Sequence, residues 1–179
     1  MEEMFANFDV SLSVGMFDRA ALLVRRMSLR YAPDSQQARD IHNKYIDKLV
    51  NYMIANQRPD MAPKTLRWFE VDMKSAGVTP DATTFALLLK MALRMLHGTR
   101  LHRTVYRYWR MVTEAGEEEA VISSPVFSTA DLGLLSEVGV FQHENTISDG
   151  RLTLILPQHY RLVSRSPPMA ISNLLTRKV

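Results

Sequence analysis

Sliding the 179-residue chain along itself by 39 residues lays Leu49 on Leu88, Val50 on Leu89, Ile54 on Leu93 and Leu66 on Val105. The same shift lays Phe69 on Tyr108, Ala76 on Ala115 and Gly77 on Gly116. Self-similarity at a period of this length is the mark of a helical solenoid, in which each unit is a helix pair that buries its apolar stripe against its neighbours. The repeat therefore predicts an all-α fold of tandem antiparallel helical hairpins between about Ser35 and Gly116.

The local pattern agrees. In the stretch from Phe17 to Leu29 the residues Phe17, Ala20, Ala21, Val24, Met27 and Ser28 follow a helical period, with Arg19, Arg25, Arg26 and Arg30 in the remaining places. Pro33 ends that helix, because the residue before a proline resists helical geometry. Ser35 then caps a helix whose apolar face reads Ala38, Ile41, Tyr45, Leu49, Tyr52 and Met53, running to about Ala55. A partner helix opens at Ala62-Pro63, buries Leu66, Phe69, Val71 or Met73, and Ala76, and closes at the left-handed cap Gly77. After Val78-Thr79-Pro80-Asp81 a third helix turns Phe85, Leu88, Leu89, Ala92, Leu93 and Leu96 inward and ends at Gly98. The fourth, from about Arg100 to Gly116, steps through Leu101, Val105, Tyr108 and Val112. Ser128 with Asp131 three places on predicts a capped short helix reaching Val138. This divides the chain into an N-terminal helix or partial repeat (1–34), a helical-repeat domain (35–138) and a tail (139–179). The tail is expected to be poorly ordered, with a short strand over Leu152–Leu156 and a loop at Ser164–Pro168.

Several function classes are poorly served by this composition. Without cysteine there is no disulfide, thiolate nucleophile or cysteine-based zinc site. Among five histidines only His97 and His102 are close, and their spacing turns them to different sides of a helix, so no metal is expected. No apolar run approaches the ~20 residues of a membrane span. There is no glycine-rich phosphate loop, nucleophile elbow or suitably spaced carboxylate pair, so the chain offers no catalytic candidates and no cofactor site. Glu70 and Lys74 are expected to form an exposed pair. The N-terminus, with Glu2 and Glu3 after Met1, lacks the arginine-rich, acid-poor pattern of a transit peptide.

The net charge of +3 says little about partners, but its distribution says more. Between Thr83 and Thr113 stand Lys90, Arg94, Arg100, Arg103, Arg107 and Arg110 with no acidic residue among them. The last four recur by three, four and three, which places them along one side of the fourth helix, away from its apolar stripe. Such a ridge suits a nucleic-acid backbone, with Tyr106 or Trp109 to stack on a base where exposed. The alternatives are a solvated face or one set against an acidic protein surface. Trp68 and Phe69 read as core.

The run Trp68-Phe69-Glu70, Met73-Lys74, Gly77 to Asp81, Thr84-Phe85 and Leu88-Leu89 resembles the junction between two pentatricopeptide repeats. The stretch from about Ala38 to Val138, with Thr83 to Leu88 and Ala130-Asp131-Leu132-Gly133, resembles the N-terminal extension of fungal mitochondrial RNA polymerases. The resemblance implies a role in mitochondrial transcription in the matrix, contacting single-stranded RNA or a transcription-associated protein, with catalysis left to a domain this chain lacks. A protein-interaction scaffold with no nucleic-acid role is the alternative. Pentatricopeptide proteins that read bases place Asp or Asn at the repeat's end, a role Asp81 matches, and Asn, Ser or Thr just after the helix-opening aromatic. Ala86 holds that second place, so sequence-specific readout is not expected.

Overall fold

The computed structural model describes residues 2–140. The expected tail strand and loop lie outside the described residues. Within them the elements are α1 (Glu2–Ser13), α2 (Phe17–Ser28), α3 (Gln36–Asn56), a 3-10 turn (Pro59–Met61), α4 (Ala62–Arg67) continued by a π-helical turn (Trp68–Met73), α5 (Ala82–Met95), α6 (Gly98–Ala115), α7 (Glu118–Ile122) and α8 (Thr129–Glu137). No strand occurs among the described residues, and the fold is all-α.

Three helix pairs follow one another: α1 with α2, α3 with α4 and its π turn, and α5 with α6. The sequence pattern yields only one helix ahead of Ser35, whereas the structure has a complete hairpin there. The first members of the pairs pack together, α3 lying between α1 and α5. The second members are tied across their seams by ion pairs, Asp18 to Lys64 at 2.6 Å, Arg25 to Asp72 at 2.6 Å and Glu70 to Arg107 at 2.7 Å.

Position in the stack explains how each helix is buried. Contacts from α3, α4, α6, α7 and α8 surround α5, so Phe85, Ala86, Leu87, Leu88, Leu89, Met91, Ala92 and Leu93 are all buried rather than a single stripe. By contrast α6 is one-sided, burying Val105, Tyr108, Trp109 and Val112. In α3, His42, Asn43, Ile46 and Val50 join the expected face because neighbours press on two sides, while Tyr52 is only partly buried. Fully burying side chains of this size contributes ~1.5–3 kcal/mol each.

The caps fall close to their expected places. Ser35 Oγ accepts from the Ala38 amide at 3.3 Å, and reciprocal capping boxes open α5 (Asp81 with Thr84) and α8 (Ser128 with Asp131). Gly77 holds φ +67° and Gly116 φ +70° at the helix ends. Gly98 differs from expectation: α5 stops at Met95, and Gly98, at φ +55°, opens α6. The choice between Val71 and Met73 is settled by the π turn. One i to i+5 turn sets Met73 over Trp68, so Trp68, Phe69 and Met73 are buried and Val71 faces out.

Candidate nucleic-acid interface

The six cations between Thr83 and Thr113 separate into two groups with different work. Lys90 and Arg94 stand one turn apart on α5 and reach the segment that covers its end. Lys90 Nζ donates to the Val126 carbonyl at 2.9 Å, and Arg94 Nε meets Asp131 Oδ1 at 2.6 Å. Asp131 is buried and also accepts from the Ser128 amide (2.9 Å) and hydroxyl (2.6 Å). Burial pushes its carboxyl upward, but the Ser128 hydrogen bonds together with Arg94 outweigh that and hold it below the usual carboxylate range. These two cations fasten α7 and α8 onto α5.

The other four, Arg100, Arg103, Arg107 and Arg110, are exposed along one side of α6. Arg107 meets Glu70 at 2.7 Å and lies 5.8 Å from the centre of the Tyr108 ring. Tyr108 is buried and donates its hydroxyl to the same Glu70 Oε1 at 3.3 Å; burial first, and the Glu70 charge second, push its phenol above the ordinary range. The expected Glu70 pairing with Lys74 is replaced by this contact, because Glu70 sits at the seam with α6. Arg110 pairs with Glu114 one turn on at 3.3 Å. Arg100 and Arg103 have no carboxylate within ion-pair distance among the described residues.

Aromatic platforms are not part of this row. Trp109 is buried, as its spacing from Val105 and Val112 on the apolar stripe allows, and Tyr106 is half-buried with its hydroxyl donated to the Val138 carbonyl at 2.9 Å. Trp68 and Phe69 are core. Asp81 is engaged locally: its carboxylate accepts from the Thr84 amide at 2.8 Å and from Asn43 Nδ2 at 3.0 Å, joining α3 to α5. Ala86 is fully buried, so it presents nothing to a base. What the row presents is a line of guanidinium groups, positive charge without a side chain placed to distinguish one base from another.

Among the described residues no cluster of three or more His, Asp or Glu is placed to hold a metal ion, and no helix is long and apolar enough to cross a membrane.

Residues 1–149 match the family described as RPO41-like, TPR repeats. The chain is 27% identical over 140 residues to "DNA-directed RNA polymerase, mitochondrial" of Neurospora crassa, an alignment covering 77% of this chain and 10% of that relative. It thus spans about a tenth of the relative's length. No solved structure matches it. The family is one of tetratricopeptide repeats, whereas the sequence motifs resemble pentatricopeptide repeats; both are stacked helix hairpins.

Proposed function

The chain belongs to the family of RPO41-like TPR repeats, and on that premise we propose that it is a non-catalytic binding module of mitochondrial transcription that holds RNA by its phosphate backbone along α6. One observation carries the reading: Arg100, Arg103, Arg107 and Arg110 occupy one exposed side of a single helix, and the first two face no carboxylate among the described residues. Steps of three and four residues at 1.5 Å rise separate the guanidinium groups by roughly 5–6 Å along the axis, so successive side chains can each engage a phosphate. With no exposed aromatic on the row, affinity comes from charge and is indifferent to sequence.

The salt dependence of binding to an unstructured RNA oligomer tests this. The logarithm of affinity should fall with the logarithm of salt at a slope near −1.4 if only Arg100 and Arg103 engage, steepening to about −2.8 if all four do. Replacing Arg100 and Arg103 by Ala should flatten that slope with helicity unchanged. Binding that ignores both salt and these substitutions would leave the module as a protein scaffold.

A further inference from the structure

A second exposed face, to which α6 contributes nothing, carries a different chemistry. On the side of α2 opposite its buried stripe, Leu22 is 54% exposed and Leu29 88% exposed. Seven residues is two helical turns, so these two leucines sit in line along the axis, ~10 Å apart. Between them Arg25 crosses the seam to Asp72 at 2.6 Å. That contact brings alongside the neighbour of Asp72, Val71, which the π turn leaves 52% exposed. Three exposed aliphatic side chains thus come from the two elements that this ion pair joins.

The rim of this patch is cationic. Arg19, Arg26 and Arg30 are exposed on α2 and just beyond it, and Arg67 and Lys74 are exposed on the other side of the seam. None of these five is within ion-pair distance of a carboxylate among the described residues. The two acids of the seam, Asp18 and Asp72, are already matched by Lys64 and Arg25. An aliphatic centre with an arginine and lysine border complements a helix that presents leucine-like side chains on one stripe and carboxylates beside it. A nucleic acid matches it less well, since phosphates would leave Leu22, Leu29 and Val71 without an apolar partner and no aromatic is offered to a base.

We propose that this face of α2 and the π turn docks an acidic amphipathic helix of a partner protein. The partner's apolar stripe lies on Leu22, Leu29 and Val71, and its carboxylates meet Arg19, Arg26, Arg67 and Lys74. Two turns between the leucines match the i to i+7 spacing of a helix laid along α2. Three anchors make a small interface, at the weak, transient end of protein recognition, with an affinity on the order of 10 µM.

The test uses the full chain and a labelled, stapled helical peptide of about fifteen residues. The peptide has Leu on one stripe and Glu elsewhere, and a scrambled peptide of the same composition and an RNA oligomer serve as rivals. The helical peptide should bind at least about tenfold tighter than the scramble. Leu22→Asp with Leu29→Asp should weaken it by about tenfold or more. Arg19→Glu with Arg26→Glu should transfer the preference to a peptide with Lys in place of Glu. All four substitutions are at exposed positions, so the circular dichroism of the variants should match the parent. Equal binding of helix and scramble, indifference to the leucine substitutions, or no peptide binding at about 1 mM would overturn the proposal. So would RNA that displaces the peptide and itself loses affinity when the leucines are replaced. Loss of RNA binding on replacing Arg100 and Arg103 bears on α6 alone.

Discussion

The Glu70 carboxylate lies 2.7 Å from the Arg107 guanidinium while accepting the Tyr108 hydroxyl at 3.3 Å, so one acid of the π turn holds two consecutive residues of α6. The contact joins the second and third hairpins and occupies one of the four outward arginines. Arg107 is more than half exposed and Glu70 about one-third, and pairs this open to solvent contribute ~0–1 kcal/mol. Glu70→Gln keeps an acceptor for Tyr108 and removes the charge. Chemical denaturation should therefore register a loss under about 1 kcal/mol. RNA affinity at low salt should rise about threefold or more as Arg107 is released, with a steeper salt slope. Unchanged or weaker RNA binding by this variant would count against α6 as the contact surface.

Asp131 makes the opposite case, since it is buried beneath Arg94 and caps α8. Asp131→Asn leaves Arg94 without its counter-charge and disrupts the reciprocal cap. Because Arg94 is about one-third exposed, the cost is set below that of a fully buried pair, at about 2 kcal/mol. The pH dependence has a definite sign. A carboxyl whose folded pKa is lowered contributes stability that is fully present above its unfolded value near ~4 and is lost as pH falls through the lower folded value. Urea denaturation of parent and variant should converge as pH falls below the ordinary carboxylate range, and hydrogen exchange should place the loss in α7 and α8.

Amphipathic period made α2, α3, α5 and α6 legible, because each presents apolar residues every three or four places to a neighbour. It could not reveal α1, where Phe8, Ser11 and Leu12 are the only buried residues of twelve and one of these is polar. Nor could it show the π turn, whose inserted residue shifts the period between Phe69 and Met73. Helix faces and caps are local properties, whereas ion-pair partners are set by the stack. Arg94 finds Asp131 and Arg107 finds Glu70, each 37 residues away, and nothing near either arginine in the chain announces it. One signal does separate Lys90 and Arg94 from the α6 row. They are the only charged residues on α5, which is apolar from Phe85 onward apart from them, so a covering segment had to meet them.

Two glycines with matching backbone roles should respond unequally to the same substitution. Gly77 and Gly116 both cap helices at positive φ, where a side chain costs ~1 kcal/mol. At Gly77 an added Cβ would also stand 3.0 Å from Pro33 Cβ in the turn ahead of α3, while at Gly116 nothing lies within 4 Å. Gly116→Ala should lower stability by about 1 kcal/mol, and Gly77→Ala by about 1 kcal/mol more, as the turn at Pro33 is displaced. Equal losses in thermal unfolding would mean that the Pro33 turn yields without cost.

His42 gives the stack a second pH dependence, of the opposite chemical kind. It is buried on α3, with Nε2 2.9 Å from Ser28 Oγ and its ring 5.5 Å from that of Trp68. Ser28 Oγ donates to the Val24 carbonyl at 2.9 Å, so the imidazole carries a proton on Nε2 and donates it to Ser28 Oγ. Burial lowers its pKa to about 4, partly opposed by the Asp72 charge, against ~6.5 in the unfolded chain. The unfolded state therefore binds the extra proton between those values, and stability falls as pH drops from about 6.5 toward 4. The loss is ~2 kcal/mol by pH 5 and roughly 3 kcal/mol by pH 4. His42→Leu retains an apolar side chain, and Ser28 keeps its bond to Val24. Between pH 6.5 and 5, above most carboxylate titration, urea denaturation of this variant should show a nearly flat profile where the parent declines. A parent profile equally flat over that interval would mean that His42 takes up its proton inside the fold, with Asp72 offsetting its burial.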